Sequence, residues 1–242
     1  MTRCSLIKRA RAMLLLLALI ASQGGYGQSH SIALGQAAST PQEPPKRMVE
    51  WQDYAPVLRE LSESVSTLKT KLGNKNQQLN ALFDRMKTHS DFLSDQWNGA
   101  CCETTPATYL ESLEQDAALL KSVLDNQTHE KEISAVLKVV EEDLRIKAAH
   151  CKLSPKGWDA LVVVSVNAKK GKEKVDGLEV WFVQKGWLKT QSKWKRFAKV
   201  TCGTSETFPP GIYMIWLKGF EPVPIEIGGN GVGTKEVELV VP

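Results

Sequence analysis

Signatures of catalysis are scarce in these 242 residues. The four histidines, His30, His89, His129 and His150, are scattered, and there is no Gly-x-Ser-x-Gly, no His-Glu-x-x-His and no phosphate-cradling glycine loop. Gly228 to Gly233 is glycine-rich, but it joins two strand-like stretches, where a turn is the ordinary reading. Long apolar runs are missing too: past the first 27 residues none approaches the ~20 residues that a membrane-spanning helix needs. These absences leave a non-enzymatic protein with no cofactor and no resident metal as the expectation.

The apolar run that does exist lies at the start. Arg3, Lys8, Arg9 and Arg11 precede Met13 to Ala21, and Gly25 and Gly27 then offer small residues for cleavage before Gln28. That pattern predicts a signal peptide over residues 1–27, a periplasmic or secreted location, and no transmembrane segment once the leader is removed. Cys4 stands ahead of the apolar run, which is the wrong place for lipid attachment. An exported chain also argues against nucleic acid as partner. Residues 28–49, with Ser-Thr-Pro-Gln-Glu-Pro-Pro and little apolar content, have the composition of a flexible linker.

With the leader's four basic residues set aside, the charges balance but are divided. Residues 28–151 hold 13 Lys and Arg against 18 Asp and Glu; residues 152–242 hold 14 against 9. Two oppositely charged halves resting on one another is the simplest reading, with faces for separate partners the alternative.

From Trp51 a heptad pattern begins. One column reads Trp51, Leu58, Val65, Leu72, Leu79, Met86 and Leu93; its companion reads Tyr54, Leu61, Leu68, Lys75, Leu82, His89 and Gln96. After a turn at Asn98 to Pro106, the residues Leu110, Leu113, Ala117, Leu120 and Leu124 carry the period on, and Ile133, Leu137, Val140 and Leu144 resume it. Each arm is interrupted once, at Gly73-Asn74-Lys75-Asn76 and at Asp125 to Glu130, at equal distances from Cys102. Residues 50–151 are therefore a helical domain of one of two kinds. A coiled-coil hairpin about 65–70 Å long is favoured by the tolerance of helices for Gly73 and the lack of proline in either break. A four-helix bundle with loops at the breaks is the alternative. An open two-helix seam would also invite a homo-oligomer formed through the helices.

Beyond Trp158 the period changes to two. Leu161 to Val166, Leu178 to Val183, Ile212 to Leu217 and Val237 to Val241 read as strands, with hairpin turns expected at Pro209-Pro210-Gly211 and Gly228 to Gly231. Residues 158–242 thus form a small β-sandwich, so the fold class is an α part followed by a separate all-β part. The succession Asp176-Gly177-Leu-Glu-Val180, Phe208-Pro-Pro-Gly211-Ile-Tyr213-Met-Ile-Trp216, Pro224-Ile-Glu-Ile227 and a terminal Val-Glu-Leu-Val-Val resembles the carboxypeptidase regulatory-like, transthyretin-like sandwich. That resemblance implies a structural and binding module without catalytic residues, with Tyr213, Ile215 and Leu217 turned inward. Where the family has a short hairpin, this chain has the basic segment Lys185 to Lys199.

Four cysteines follow the leader. Cys101, Cys102, Cys151 and Cys202 are disulfide candidates in an exported protein. A bridge from Cys101 or Cys102 to Cys151 suits only the bundle, since Cα atoms must lie within about 7 Å; Cys151 to Cys202 suits either arrangement. Cys101, Cys102, His150 and Cys151 have the ligand types for zinc but not the usual Cys-x-x-Cys spacing. Carboxylates such as Glu141, Glu142 and Asp143 read as a solvated face. Asn126-Gln127-Thr128 is a glycosylation sequon only in the formal sense.

Binding residues are best sought where aromatic and basic side chains interleave: Lys185-Gly-Trp187-Leu-Lys189-Thr-Gln-Ser-Lys193-Trp194-Lys195-Arg196-Phe197-Ala-Lys199. With Tyr213 inward, Trp216 faces outward, and Trp181 joins it. Trp181, Trp187, Lys193, Trp194, Arg196 and Trp216 are accordingly the candidate ligand residues, for a cell-envelope glycan held by stacking or for a protein partner. The competing reading has the same tryptophans covering the sandwich or docking it onto the helices.

Overall fold

The computed structural model describes residues 48–72, 76–98, 104–125, 130–153, 161–201 and 204–241. The expected leader and nearly all of the expected linker lie outside the described residues, as do Cys101, Cys102, Cys202, His30, His129 and the sequon at Asn126. The linker does not extend to residue 49 as expected. Met48–Glu50 is a strand, β1, paired antiparallel with β2, Thr104–Pro106, in the register Val49 to Thr105.

Both short strands run straight into helices. Helix α1 spans Trp51–Leu72, α2 Gln77–Asn98, α3 Ala107–Asp125 and α4 Glu130–Leu153. Asp53 accepts the Glu50 N–H at 3.1 Å and so caps the start of α1. The first polar break is a helix start rather than a tolerated glycine: Asn76 Oδ1 accepts the N–H groups of Gln78 at 2.9 Å and Leu79 at 3.4 Å, the work of an N-cap.

That cap decides between the two helical arrangements. The favoured long hairpin is replaced by four helices, with α1 packed on α2 and α3, and α4 on the same two. Lys69, in the last turn of α1, pairs with Asp84 near the start of α2, so these two run antiparallel. Arg85 to Glu141, and then Lys152 over the Phe92 ring at 4.4 Å, advance together along α2 and α4, so those run parallel. The heptad residues fill the interior: Leu58, Leu61, Val65 and Leu68 meet Leu79, Leu82, Phe83 and Met86, with Leu113, Leu120, Leu137, Val140 and Leu144 closing it. Each such side chain stabilises the fold by about 1.5–3 kcal/mol relative to exposure. The seam that would have invited self-association is covered by α3 and α4.

The β part is two facing sheets. Strand β3, Val162–Lys170, pairs in parallel with β10, Thr234–Val240, and antiparallel with β4, Glu173–Val175, and β7, Ser205–Phe208. The second sheet has the order β6, Lys195–Arg196; β5, Val180–Gln184; β8, Gly211–Leu217; β9, Val223–Ile227, all antiparallel. The two expected hairpins are instead crossings between sheets. Pro209 and Pro210 carry the chain from β7 to β8, and residues 228–233 carry it from β9 to β10. Gly228 and Gly231, at φ 87° and 72°, supply the left-handed backbone that this second crossing uses. His150, at the end of α4, bonds the Gly228 carbonyl through Nδ1 at 2.8 Å.

Alternation sorts the side chains. Val162, Val164, Val166 and Ala168 of β3 and Val237 and Leu239 of β10 meet Tyr213, Ile215 and Leu217 of β8 between the sheets, as expected. Every residue of β8 is buried, because its other face is covered as well, by α4 and an aromatic cap described below. All the described residues belong to a single compact unit of three layers: bundle, second sheet, first sheet. No helix among them is long and apolar enough to cross a membrane.

Charge holds bundle and sheet together. Lys147, fully buried on α4, donates to Asp116 of α3 at 2.9 Å and to Asp143 one turn back on its own helix. The Gln184 amide of β5 donates to Asp116 at 2.9 Å and to Asp143 at 3.0 Å, and the Ile212 N–H of β8 to Asp143 Oδ1 at 2.7 Å. Asp143 is thus buried and fully engaged, where a solvated face was expected. Burial raises the Asp116 carboxyl above its ordinary range, although Lys147 pulls it back, and burial lowers the Lys147 ammonium. Gly211 is required beside it, since a Cβ there would sit 2.5 Å from Asp143 Oδ1. At the periphery Lys185 to Glu142 and Lys195 to Glu111 join the two parts with the polarity that the divided charge suggested, and Arg145 to Glu226 joins them with the opposite one.

Candidate functional site

The basic, aromatic segment between β5 and β6 folds as two single helical turns, Lys185–Trp187 and Gln191–Lys193. Gly186 lets the first turn pack closely on α3, since a Cβ there would meet the end of the Leu119 side chain. Backbone bonds from the Leu188 N–H to Lys185 O at 3.3 Å and from the Trp194 N–H to Gln191 O at 3.0 Å close the two turns. The Trp194 indole then donates to Leu188 O at 2.9 Å and stands edge-on to Trp216, with ring centroids 5.1 Å apart at 77°.

The candidate tryptophans therefore part company. Trp216 does face away from the sandwich core, as alternation requires, but it is only 6% exposed. With Val183 and Met214 it forms a small core under Trp181, Trp187, Leu188 and Trp194. Outward did not mean exposed, because the segment after β5 doubles back over that face. Trp181 and Trp194 are half-buried members of this cap. Arg196 is exposed and paired with Glu179 at 3.2 Å, beside a different cleft lined by Asp176, Glu179 and residues 196–201. Glu179 also pairs with Lys218, and that bond holds its carboxyl below the usual range.

Trp187 and Lys193 are brought together. They form one wall, with Ser192 and Lys195, of a groove of about 440 Å³ whose other wall is Glu111, Glu114, Gln115 and Ala118. Those four residues recur at helical spacing and so make one face of α3. Lys193 Nζ lies 5.4 Å from the centre of the Trp187 ring, a cation–π contact. Glu111, Gln115, Lys193 and Lys195 are shared with a smaller adjoining pocket of about 180 Å³ that ends on Ser112, Phe182, Phe208 and Tyr213. There the buried Tyr213 phenol donates to Pro209 O at 3.2 Å, and burial pushes its pKa far up. Ser112 Oγ is near enough to temper that shift, yet it makes no well-formed hydrogen bond of its own.

Chemically the groove offers an indole, two ammonium groups, two carboxylates and an amide, which is equipment for recognition. Sequence reasoning found its basic wall and missed its acidic one. The signal was present in the polar positions Glu111, Glu114 and Gln115, which alternate with the apolar column of the same helix. Among the described residues no group of three or more His, Cys, Asp or Glu is placed to hold a metal. Of the four zinc candidates, His150 and Cys151 are described: His150 is buried with Nδ1 on Gly228, and Cys151 is half-buried against the helical core. Comparison with family models, curated proteins and solved structures finds no match to this chain.

Proposed function

We propose that this chain is a non-enzymatic extracytoplasmic interaction module that holds a segment of cell-envelope glycan in the groove between α3 and Trp187 to Lys195. The observation that carries the reading is the pairing of one aromatic wall, Trp187, with a hydrogen-bonding helical face, Glu111, Glu114 and Gln115, across about 440 Å³. That is the scale of a small-ligand cleft, whereas a protein partner would use a broad surface of about 800 Å² on each side. Indole faces stack on the C–H faces of sugar rings, and carboxylates and amides accept and donate to hydroxyls. The leader expected over residues 1–27 supports the compartment. The transthyretin-like pattern of the strands supports a binding rather than a catalytic role.

Calorimetric titration with a panel of envelope oligosaccharides tests the reading. Binding is expected in the micromolar to millimolar range, weakened up to about tenfold by Trp187→Ala, since an aromatic contact is worth ~0.5–1.5 kcal/mol. Absence of heat with every saccharide would overturn it. Because the bundle closes its own seam, the module is expected to be monomeric, which sedimentation equilibrium checks.

A further inference from the structure

The two walls of the groove are unequal in charge. Glu111 and Glu114 stand against Lys193 and Lys195 in the larger part, where charges balance. In the smaller part Glu111 alone faces both lysines. Lys195 faces Glu111 across the groove, with Nζ 3.8 Å from its carboxylate. Lys193 is exposed, lies over Trp187 and makes no ion pair among the described residues, so it is the groove's uncommitted cation. An ammonium can only donate, so Lys193 calls for an acceptor.

We infer that the groove selects a saccharide bearing a single carboxylate, a hexuronic acid unit, with the carboxylate on Lys193 and the sugar hydroxyls toward Glu111, Glu114 and Gln115. This rests on the glycan reading above and narrows it. A neutral sugar leaves Lys193 unanswered. A phosphorylated or multiply sulfated chain brings further negative charge beside Glu111 and Glu114, where like charges a few ångströms apart repel. One carboxylate matches the one uncommitted ammonium, in a charge-assisted hydrogen bond about twice as strong as a neutral one.

The test is calorimetric titration of the full chain at low ionic strength with cellobiuronic acid, with cellobiose and with inorganic phosphate. Cellobiuronic acid is expected to bind at least about tenfold more tightly than cellobiose, with the gap shrinking as salt is added. Lys193→Gln is expected to bring it down to the level of cellobiose, and Lys235→Gln, on β10, to alter neither. Lys193 is exposed, so its variant keeps the fold, which circular dichroism verifies. Equal binding of the two disaccharides would overturn the carboxylate assignment and leave the glycan reading standing. Phosphate competing as well as cellobiuronic acid would make this a general anion site and overturn the assignment. No binding of cellobiuronic acid would likewise overturn the carboxylate assignment, while the glycan reading stands or falls with the wider panel of saccharides.

Discussion

Inside the helical bundle the buried side chains are Tyr54, Leu61, Leu68, Phe83, Leu93 and Leu137. Between the bundle and the second sheet they are Asp116, Asp143, Lys147 and Gln184. The two interiors are equally closed to water but depend on different physics. An apolar seam tolerates a range of shapes, because its attraction is non-directional and scales with area. A buried ionic cluster is costly to desolvate and is satisfied only in one relative placement, with Lys147 between two carboxylates and Asp143 on the Ile212 N–H. The seam makes the bundle; the cluster fixes where the sheet sits on it, and with that the width of the groove along α3.

The largest effect separating the two regions is expected from Lys147→Met, which strands two carboxylates in the interior and should cost about 3–5 kcal/mol in urea unfolding. Making the whole cluster neutral, with Asp116→Asn and Asp143→Asn added, should recover most of that loss. If Lys147→Met alone were harmless, the cluster would not be the clamp described. Leu61→Ala, in the seam, should cost about 2–5 kcal/mol, yet leave saccharide affinity unchanged at temperatures where the chain stays folded. Gly211→Ala pushes a methyl group against Asp143 and is expected to cost about 1–3 kcal/mol.

Reading these regions from sequence was possible to different depths. The columns from Trp51 onward named most of the seam but missed Phe83, Tyr109, Leu119, Val123 and Ala148; what they caught was legible because each apolar contact is a property of its own helix. The inward face of Tyr213, Ile215 and Leu217 was implied by the resemblance to the transthyretin-like sandwich, since Ile212 to Leu217 is apolar on both faces and alternation alone does not choose between them. Asn76 could have been read as a cap, as an asparagine three residues ahead of Leu79, and with it the bundle in place of the long hairpin. Asp143 could not. It sits beside Glu141 and Glu142, and besides Lys147 on its own helix its partners are Gln184 and the Ile212 N–H, the latter 69 residues away. Trp216 shows the same limit: its face follows from parity, but its cover is supplied by Trp194 in a segment with no periodic pattern.

Titration provides gentler probes. Burial, with Cys151 and Tyr54 nearby, raises Tyr109, and burial raises Tyr213. A raised folded pKa means stability that is complete below the ordinary phenol value near 10 and lost as pH climbs above it. Tyrosinate absorbance from these two should therefore rise together with alkaline unfolding and not before it. Burial lowers His89. Its contribution is complete above its ordinary value and lost as pH falls through the lowered one, so His89→Gln should flatten a slight acid slope of stability.

The central claim is that bundle and sandwich form one clamped unit framing the groove. Urea unfolding followed in parallel by far-ultraviolet circular dichroism, for the helices, and by near-ultraviolet circular dichroism, for the Trp181, Trp194 and Trp216 cap, tests it most directly. The account predicts superimposable transitions in the natural chain and a shift of both in Lys147→Met. Two separate transitions in the natural chain would contradict it.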